Sequence, residues 1–224
     1  MKGKINKQEL LKIQRAIVNK ALSPEKTEII AVTKNQPYAA ITSALKNQIY
    51  NIGENRVQEL EKKIKEKEIP ETVKIHFIGR LQKNKAKKAV LLCDYIQSVD
   101  SIELAKEINK QAKKIKKKQK IYLQINIGKD IKKTGFIKQK VKEAVKEILD
   151  LLNVEIVGLM TILPQGLTAK QNRKLYKKTF KIKEHLNSTL LPRCNFLSMG
   201  MSGDYKEALE EGATQIRIGT KLYG

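Results

Sequence analysis

The chain has few cysteines and no long apolar run, and both absences restrict what it can be. Its 224 residues include two cysteines, Cys93 and Cys194, and neither has a second cysteine or a histidine at ligand spacing. We therefore expect no metal centre, and the low cysteine content favours a reduced, cytoplasmic protein. The longest apolar run, residues 89–93, is too short to cross a bilayer, and residues 1–22 lack the pattern of an export signal. We expect no membrane partner.

Arginine and aromatic residues are also scarce, which bears on the formal net charge of +23. Only six of the 46 basic residues are arginine, and aromatic residues make up 5% of the chain. Proteins that recognise nucleic acids favour bidentate arginines and stacking aromatics. We therefore interpret the densest lysine run, residues 113–118, as a solvated face and expect no nucleic-acid partner. The net charge nevertheless keeps a nucleic-acid binder as an alternative.

Eight short β-branched runs alternate with helix-length segments, a pattern typical of parallel strands joined by right-handed crossovers. The predicted strands are residues 29–33, 49–53, 74–79, 95–99, 120–126, 155–161, 196–200 and 215–219. No GxGxxG or Walker loop follows the first strand, so a closed barrel is favoured over an open nucleotide-binding sheet. No linker separates the runs. The sequence thus predicts a single α/β domain over residues 1–224, a (β/α)8 TIM-type barrel preceded by an extra helix at residues 7–21.

The polar residues at the strand ends are the candidates for a site, because chemistry in such barrels gathers at the carboxyl ends of the strands. The loops of the last two strands contain Ser198, Gly219 and Thr220 among further glycines and hydroxyls, which can converge on a phosphate. Tight turns are the alternative explanation for the glycines. Arg217 shares a strand face with Gln215. If that face is the barrel interior, the guanidinium needs an acceptor, either a ligand or a structural carboxylate.

Lys34 continues the first predicted strand directly, whereas the other lysines near strand ends fall in loops. A lysine that is desolvated at the barrel mouth, near other cations, presents a free amine that can condense with an aldehyde. An ordinary surface lysine is the alternative, and spacing alone does not exclude it.

The chain resembles the pyridoxal phosphate homeostasis protein family through seven motifs that span nearly its whole length. They are AVTK (31–34), GENRVQE (53–59), HFIGRLQKNK (76–85), SVDS (98–101), GLM (158–160), LSMGMS (197–202) and RIGT (217–220). The resemblance implies a barrel similar to the N-terminal domain of alanine racemase, with pyridoxal 5′-phosphate bound covalently. Lys34 matches the family lysine that forms the internal aldimine.

The resemblance also implies a set of cofactor-binding residues and no separate catalytic residue. The set is Lys34, Asn55, Ser198, Met199, Arg217, Gly219 and Thr220. Ser198, Gly219 and Thr220 correspond to phosphate ligands, Arg217 to the partner of the pyridine nitrogen, and Asn55 to a residue beside the ring. His76 either lines the mouth or is a hydrogen-bonded structural residue, and its role stays open.

The implied function is intracellular homeostasis of pyridoxal phosphate, which means buffering the reactive aldehyde and delivering it to apo enzymes that depend on it. A permanently charged Arg217 at the ring nitrogen weakens the ring as an electron sink. The sequence ends shortly after the last predicted strand, so we expect an open mouth and no robust catalysis. A pyridoxal-phosphate-dependent racemase or lyase of low activity is the alternative. We expect a monomer, because no exposed apolar stripe stands out.

Overall fold

The chain folds into a closed barrel of eight parallel strands, as predicted. The computed structural model describes residues 2–128, 130 and 133–224. Each strand pairs in parallel with the next along the chain, and the eighth pairs with the first. The strands are β1 (Glu28–Val32), β2 (Asn51–Glu54), β3 (Lys74–Phe77), β4 (Tyr95–Val99), β5 (Gln119–Ile125), β6 (Val154–Thr161), β7 (Phe196–Met201) and β8 (Gln215–Ile218).

Helices connect the strands and cover the outside of the barrel. They are α1 (Lys7–Lys20), α2 (Ala39–Lys46), α3 (Val57–Glu66), α4 (Ala86–Leu92), α5 (Ile102–Lys114), α6 (Val141–Leu149), α7 (Ala169–Thr189), α8 (Tyr205–Glu210) and α9 (Thr220–Tyr223). The extra N-terminal helix is confirmed as α1. Its start is capped by Asn6, whose side chain accepts from the backbone N–H groups of Gln8 and Glu9. Buried aliphatic side chains between the helices and the sheet form the main hydrophobic core.

The predicted strand limits are shifted by up to two residues, most clearly at the end of the third strand. β3 ends at Phe77 rather than at residue 79, and the chain then approaches the segment after β2. A Cβ atom added at Gly79 would lie 2.2 Å from the backbone oxygen of Asn55. Only glycine allows this approach, so the backbone leaves the sheet here to pack against Asn55.

Aromatic side chains fill the amino-terminal end of the barrel. The ring of His76 stacks on Tyr95 with a centroid distance of 4.4 Å and an interplanar angle of 9°. Tyr95 in turn contacts Tyr122 and Phe196 edge-on. These rings pack the interior at that end, so a ligand is expected at the carboxyl ends of the strands.

The lysine run at residues 113–118 is mostly a solvated face, as expected, with one structural exception. Lys117 is half-buried, and its Nζ donates to the backbone oxygens of Val90 and Cys93, each at 2.7 Å. The ammonium thereby satisfies carbonyls at the carboxyl end of α4. Among the described residues, no helix is both long and apolar enough to span a membrane.

Candidate functional site

Lys34 and the Gly219–Thr220 segment lie at the same end of the barrel. β1 and β8 pair in parallel, so both segments leave the sheet at its carboxyl edge. A Cβ atom added at Gly219 would lie 3.3 Å from the Cβ atom of Val32, two residues before Lys34. The strand order thus brings together the candidate lysine and one candidate phosphate loop.

The side chain of Lys34 is exposed, which corrects the expectation that it is desolvated. The buried residue at this point of the chain is Thr33, and Lys34 lies in the turn that follows it. Asn35 in the same turn has a φ of 59°, in the left-handed region. Its backbone N–H donates to Glu59 Oε2 at 3.0 Å, which anchors the turn to α3. The side chain of Lys34 is therefore exposed to solvent at the rim of the barrel.

A buried ion pair supports the base of this turn. Lys63, on α3, is 5% exposed and Glu54, at the end of β2, is 0% exposed. Lys63 Nζ lies 2.5 Å from Glu54 Oε1 and donates to the backbone oxygen of Thr33 at 2.7 Å. The hydroxyl of Thr33 donates to the same carboxylate oxygen at 2.6 Å. Burial raises the pKa of Glu54, and the ammonium of Lys63 opposes that rise.

Arg217 is buried inside the barrel, where its guanidinium binds two neutral oxygens. Nη1 donates to Ser198 Oγ at 2.7 Å, and Nη2 donates to the backbone oxygen of Thr161 at 2.8 Å. No carboxylate of the described residues lies within 4.0 Å of it, so the structural ion pair left open by the sequence is not formed in that part of the chain. Burial lowers the pKa of Arg217, but an arginine keeps its proton in proteins. A fixed buried cation here favours a ligand that supplies an electron pair.

A continuous hydrogen-bond chain links Arg217 to the opposite end of the barrel. The Ser198 hydroxyl donates to Gln97 Oε1 at 2.7 Å, and Gln97 Nε2 donates to Gln215 Oε1 at 3.1 Å. Gln215 Nε2 then donates to Glu28 Oε2 at 2.9 Å. Every step pairs one donor with one acceptor, so the amides and the hydroxyl hold Arg217 in one orientation.

His76 belongs to this interior network and not to the mouth. Its Nδ1 accepts from Gln97 Nε2 at 2.9 Å, and its Nε2 therefore carries the proton and donates to Asn51 Oδ1 at 3.0 Å. Burial lowers the pKa of His76 to about 3, so the ring is neutral at physiological pH. The structural interpretation of His76 is the correct one.

The LSMGMS motif lies almost entirely in β7, and the structure separates its residues by the direction of their side chains. Ser198 is fully buried, and its hydroxyl is occupied by Arg217 and Gln97. Met199 is also fully buried, but it packs in the outer core between sheet and helices, so only its backbone can face a ligand. Gly200 has a φ of +90°, and an added Cβ atom would lie 2.6 Å from Ala208 Cβ. The loop turns sharply there, and the next residue along the chain is exposed.

Ser202 lies outside the cofactor-binding set that the resemblance implies. Its Oγ accepts from the backbone N–H of Lys221 at 3.4 Å, which joins the loop after β7 to the first turn of α9. Thr220 is exposed at the start of that turn. The segment after β7 and the first turn of α9 therefore lie side by side, and each carries a hydroxyl residue, an arrangement that suits a phosphate. The signal was present, because Ser202 stands in the same glycine-rich motif as Ser198.

Asn55 carries an unsatisfied acceptor at the mouth. Its Oδ1 is buried and has no hydrogen-bond partner among the described residues. A buried polar atom without a partner is uncommon in folded proteins and calls for an explanation, of which a missing ligand is one. Together, an exposed amine, a fixed buried guanidinium, paired hydroxyl loops and this free acceptor fit a phosphorylated aldehyde with a ring nitrogen.

Comparisons with known proteins find relatives whose names refer to pyridoxal phosphate, a phosphorylated aldehyde with a ring nitrogen. Residues 5–224 match the family model described as alanine racemase, N-terminal domain. The chain is 37% identical over 204 residues to the pyridoxal phosphate homeostasis protein of Synechocystis sp., a match that covers 91% of this chain and 94% of that protein. It is 35% identical to the protein of the same name from Aquifex aeolicus, covering 96% of this chain and 94% of that one.

Solved structures resemble the whole barrel. PipY of Synechococcus elongatus without PLP superposes with a TM-score of 0.88 at 36% identity, covering 97% of this chain and 99% of that chain. The structure of PipY with PLP bound gives a TM-score of 0.85 at the same identity. An alanine racemase of Clostridium difficile shares the fold at 20% identity and a TM-score of 0.74, with 58% of its length covered.

Proposed function

Because this chain belongs to the pyridoxal phosphate homeostasis protein family, within the wider family of the alanine racemase N-terminal domain, we propose that it binds pyridoxal 5′-phosphate at the mouth of its barrel. When bound, pyridoxal phosphate supplies an aldehyde that a lysine amine holds covalently and a ring that withdraws electrons. Arg217 carries most of the argument, because its buried guanidinium has no carboxylate within 4.0 Å among the described residues.

The roles of the residues follow from where their groups lie. Lys34 would supply the covalent anchor from the rim, and Asn55 would offer its free Oδ1 beside the ring. Gly219 and Thr220 would hold the phosphate through the backbone donors and the hydroxyl at the start of α9. Arg217 would face the ring nitrogen and leave it unprotonated, since a guanidinium has no capacity to accept a proton.

Three further residues of the LSMGMS motif complete this assignment. Met199 would contribute its backbone, since its side chain packs in the outer core. Ser198 would act through Arg217, which its hydroxyl orients. Ser202 would take the phosphate-binding role expected of Ser198, because its hydroxyl lies beside the backbone N–H of Lys221.

We further propose that the protein stores and delivers the cofactor rather than using it for turnover. An unprotonated pyridine is a weak electron sink, which disfavours chemistry through a carbanion. The exposed side chain of Lys34 gives water and competing amines access to the anchor, which favours exchange over a sealed active site. The recipients would be apo enzymes that require pyridoxal phosphate.

A transfer assay tests the proposal. The protein is loaded with pyridoxal phosphate, freed of excess cofactor and mixed with an apo enzyme that depends on it, and recovered enzyme activity is followed over time. Lys34→Ala should lower both loading and transfer, whereas Lys120→Ala should leave them unchanged, because Lys120 is an exposed lysine near the opposite end of the barrel. Two results would contradict the proposal of storage and delivery. One is an apo enzyme that stays inactive, and the other is steady amino-acid turnover by the loaded protein itself.

A further inference from the structure

A cleft opens on the carboxyl face of the barrel beside the candidate site, between α3 and the segment that follows β3. It measures about 520 Å³ and is called the basic cleft here after its four cations, Arg56, Lys62, Arg80 and Lys85. A volume of this size falls within the range of small-molecule sites, roughly 300–1,000 Å³. Asn55 is the one residue that the basic cleft shares with the proposed cofactor site.

The positive charge of the basic cleft is largely uncompensated. Among the described residues, Glu59 is the one carboxylate in its lining, and it already accepts from the backbone N–H of Asn35 and lies 3.7 Å from Arg56. Within the described part of the chain, no carboxylate approaches Lys62, Arg80 or Lys85 to within 4.0 Å. An anion would relieve the repulsion among these cations.

Arginine distinguishes the basic cleft from the general lysine surface. The chain has 46 basic residues but only six arginines, and two of the six, Arg56 and Arg80, line this cleft. An arginine binds a phosphate through two parallel hydrogen bonds, whereas a lysine acts as a point charge. The amino end of α3 adds backbone donors, because its first turn has no side-chain cap.

The floor of the basic cleft is apolar. Val57, Phe77 and Leu81 form it, and each is buried. Asn55 also lines the basic cleft, so its buried Oδ1 lies at the boundary between the cleft and the proposed cofactor site. Cations together with an apolar lining suit a molecule that combines a phosphate with a flat heterocycle.

We propose that the basic cleft is a second binding site, for a phosphate monoester of a heterocycle. The cations at the rim bind the phosphate, and Val57, Phe77 and Leu81 contact the ring. This inference does not rest on the proposed function, since Lys34, Arg217, Gly219 and Thr220 are not in the lining of the basic cleft.

Calorimetric titration with adenosine 5′-monophosphate tests the proposal on the full chain. At about 0.15 M salt, which screens weak surface attraction, we expect saturable binding that is tighter than the binding of inorganic phosphate. Arg80→Gln should weaken it by about tenfold or more, the size of a lost charge-assisted contact. Arg193→Gln is the matched control, because Arg193 is an exposed arginine outside the basic cleft and should leave affinity unchanged.

The outcomes separate this inference from the proposed function. Absent binding, or an equal loss in both arginine variants, would overturn the second site. Equal affinity for adenosine monophosphate and inorganic phosphate would overturn the role of the apolar floor. Lys34→Ala should retain nucleotide binding, and abolition by that variant would place the nucleotide at the cofactor site instead. A failure of pyridoxal phosphate to load on Lys34 would contradict only the proposed function.

Discussion

Replacing Lys63 with methionine should destabilise the fold in a pH-dependent way, because it leaves the carboxylate of Glu54 buried without its counterion. Removing one partner of a buried ion pair costs about 3–5 kcal/mol. The folded variant can limit this cost by keeping Glu54 protonated. With 4.5 as the reference pKa of the carboxyl, holding the proton at pH 7 costs about 3.4 kcal/mol.

The sign of the pH dependence follows from the raised pKa of Glu54. Between the pKa of the unfolded chain and the higher pKa of the folded state, the folded state binds more protons, so stability falls as pH rises. Without Lys63 the pKa of Glu54 rises further and this window extends upward. The loss caused by Lys63→Met, measured against the wild type, should therefore be larger at pH 8 than at pH 5.5, with a slope of at most about 1.4 kcal/mol per pH unit.

Urea unfolding of the apo protein at pH 5.5, 7 and 8 measures these free energies. Lys65→Met is the matched control, since Lys65 is exposed on the same helix and its replacement should change stability by less than about 0.5 kcal/mol. The double variant Glu54→Gln with Lys63→Met should recover much of the loss. A loss below about 1 kcal/mol at pH 7, or one that does not vary with pH, would refute the reasoning.

Three further variants or measurements probe the barrel interior and the rim. Ser198→Ala should lower stability by about 1–3 kcal/mol in urea, because Nη1 of Arg217 loses its acceptor; an unchanged midpoint would contradict that contact. Gly79→Ala should cost about 1–3 kcal/mol and displace Asn55, and a crystal structure with an unmoved Asn55 would count against the close approach. The ring of His76 should remain neutral in NMR spectra between pH 5 and 8. Its lowered pKa means that stability is lost as pH falls from 6.5 towards 3, by up to roughly 5 kcal/mol, and a ring titration above pH 5 would disprove this.

The barrel and the grouping of the site were predictable because they depend on strand order. Alternation of strands and helices predicts parallel strands, and the lack of a glycine-rich turn after the first strand favours closure. Closure places the residues after β1 beside those after β8. Lys34 and Gly219 therefore lie at the same edge of the barrel, and this placement does not depend on the side chains around them. Arg217 was predictable as a candidate interior residue from the period-two pattern with Gln215.

The contacts that support the site were not predictable from local pattern. Lys63 stands among exposed lysines on α3, and only the tertiary approach of β2 reveals that it is buried against Glu54. The exposure of Lys34 was missed because the polypeptide turns one residue earlier than expected, at Thr33. The side chain of Ser198 points into the barrel, where Gln97 accepts from it, and this contact is the reason that we propose Ser202 for the phosphate. The alternation of inward and outward residues along β7 contained that information.

Peptide mapping after borohydride reduction tests the central claim most directly. The protein is loaded with pyridoxal phosphate, reduced, digested and examined by mass spectrometry for the peptide that carries the pyridoxyl group. We expect the group on Lys34, its loss in Lys34→Ala and its retention in Lys120→Ala. The role assigned to this amine would be contradicted if the peptide that contains Lys34 were unmodified after reduction. That result would stand whether the label appeared on other lysines or on none.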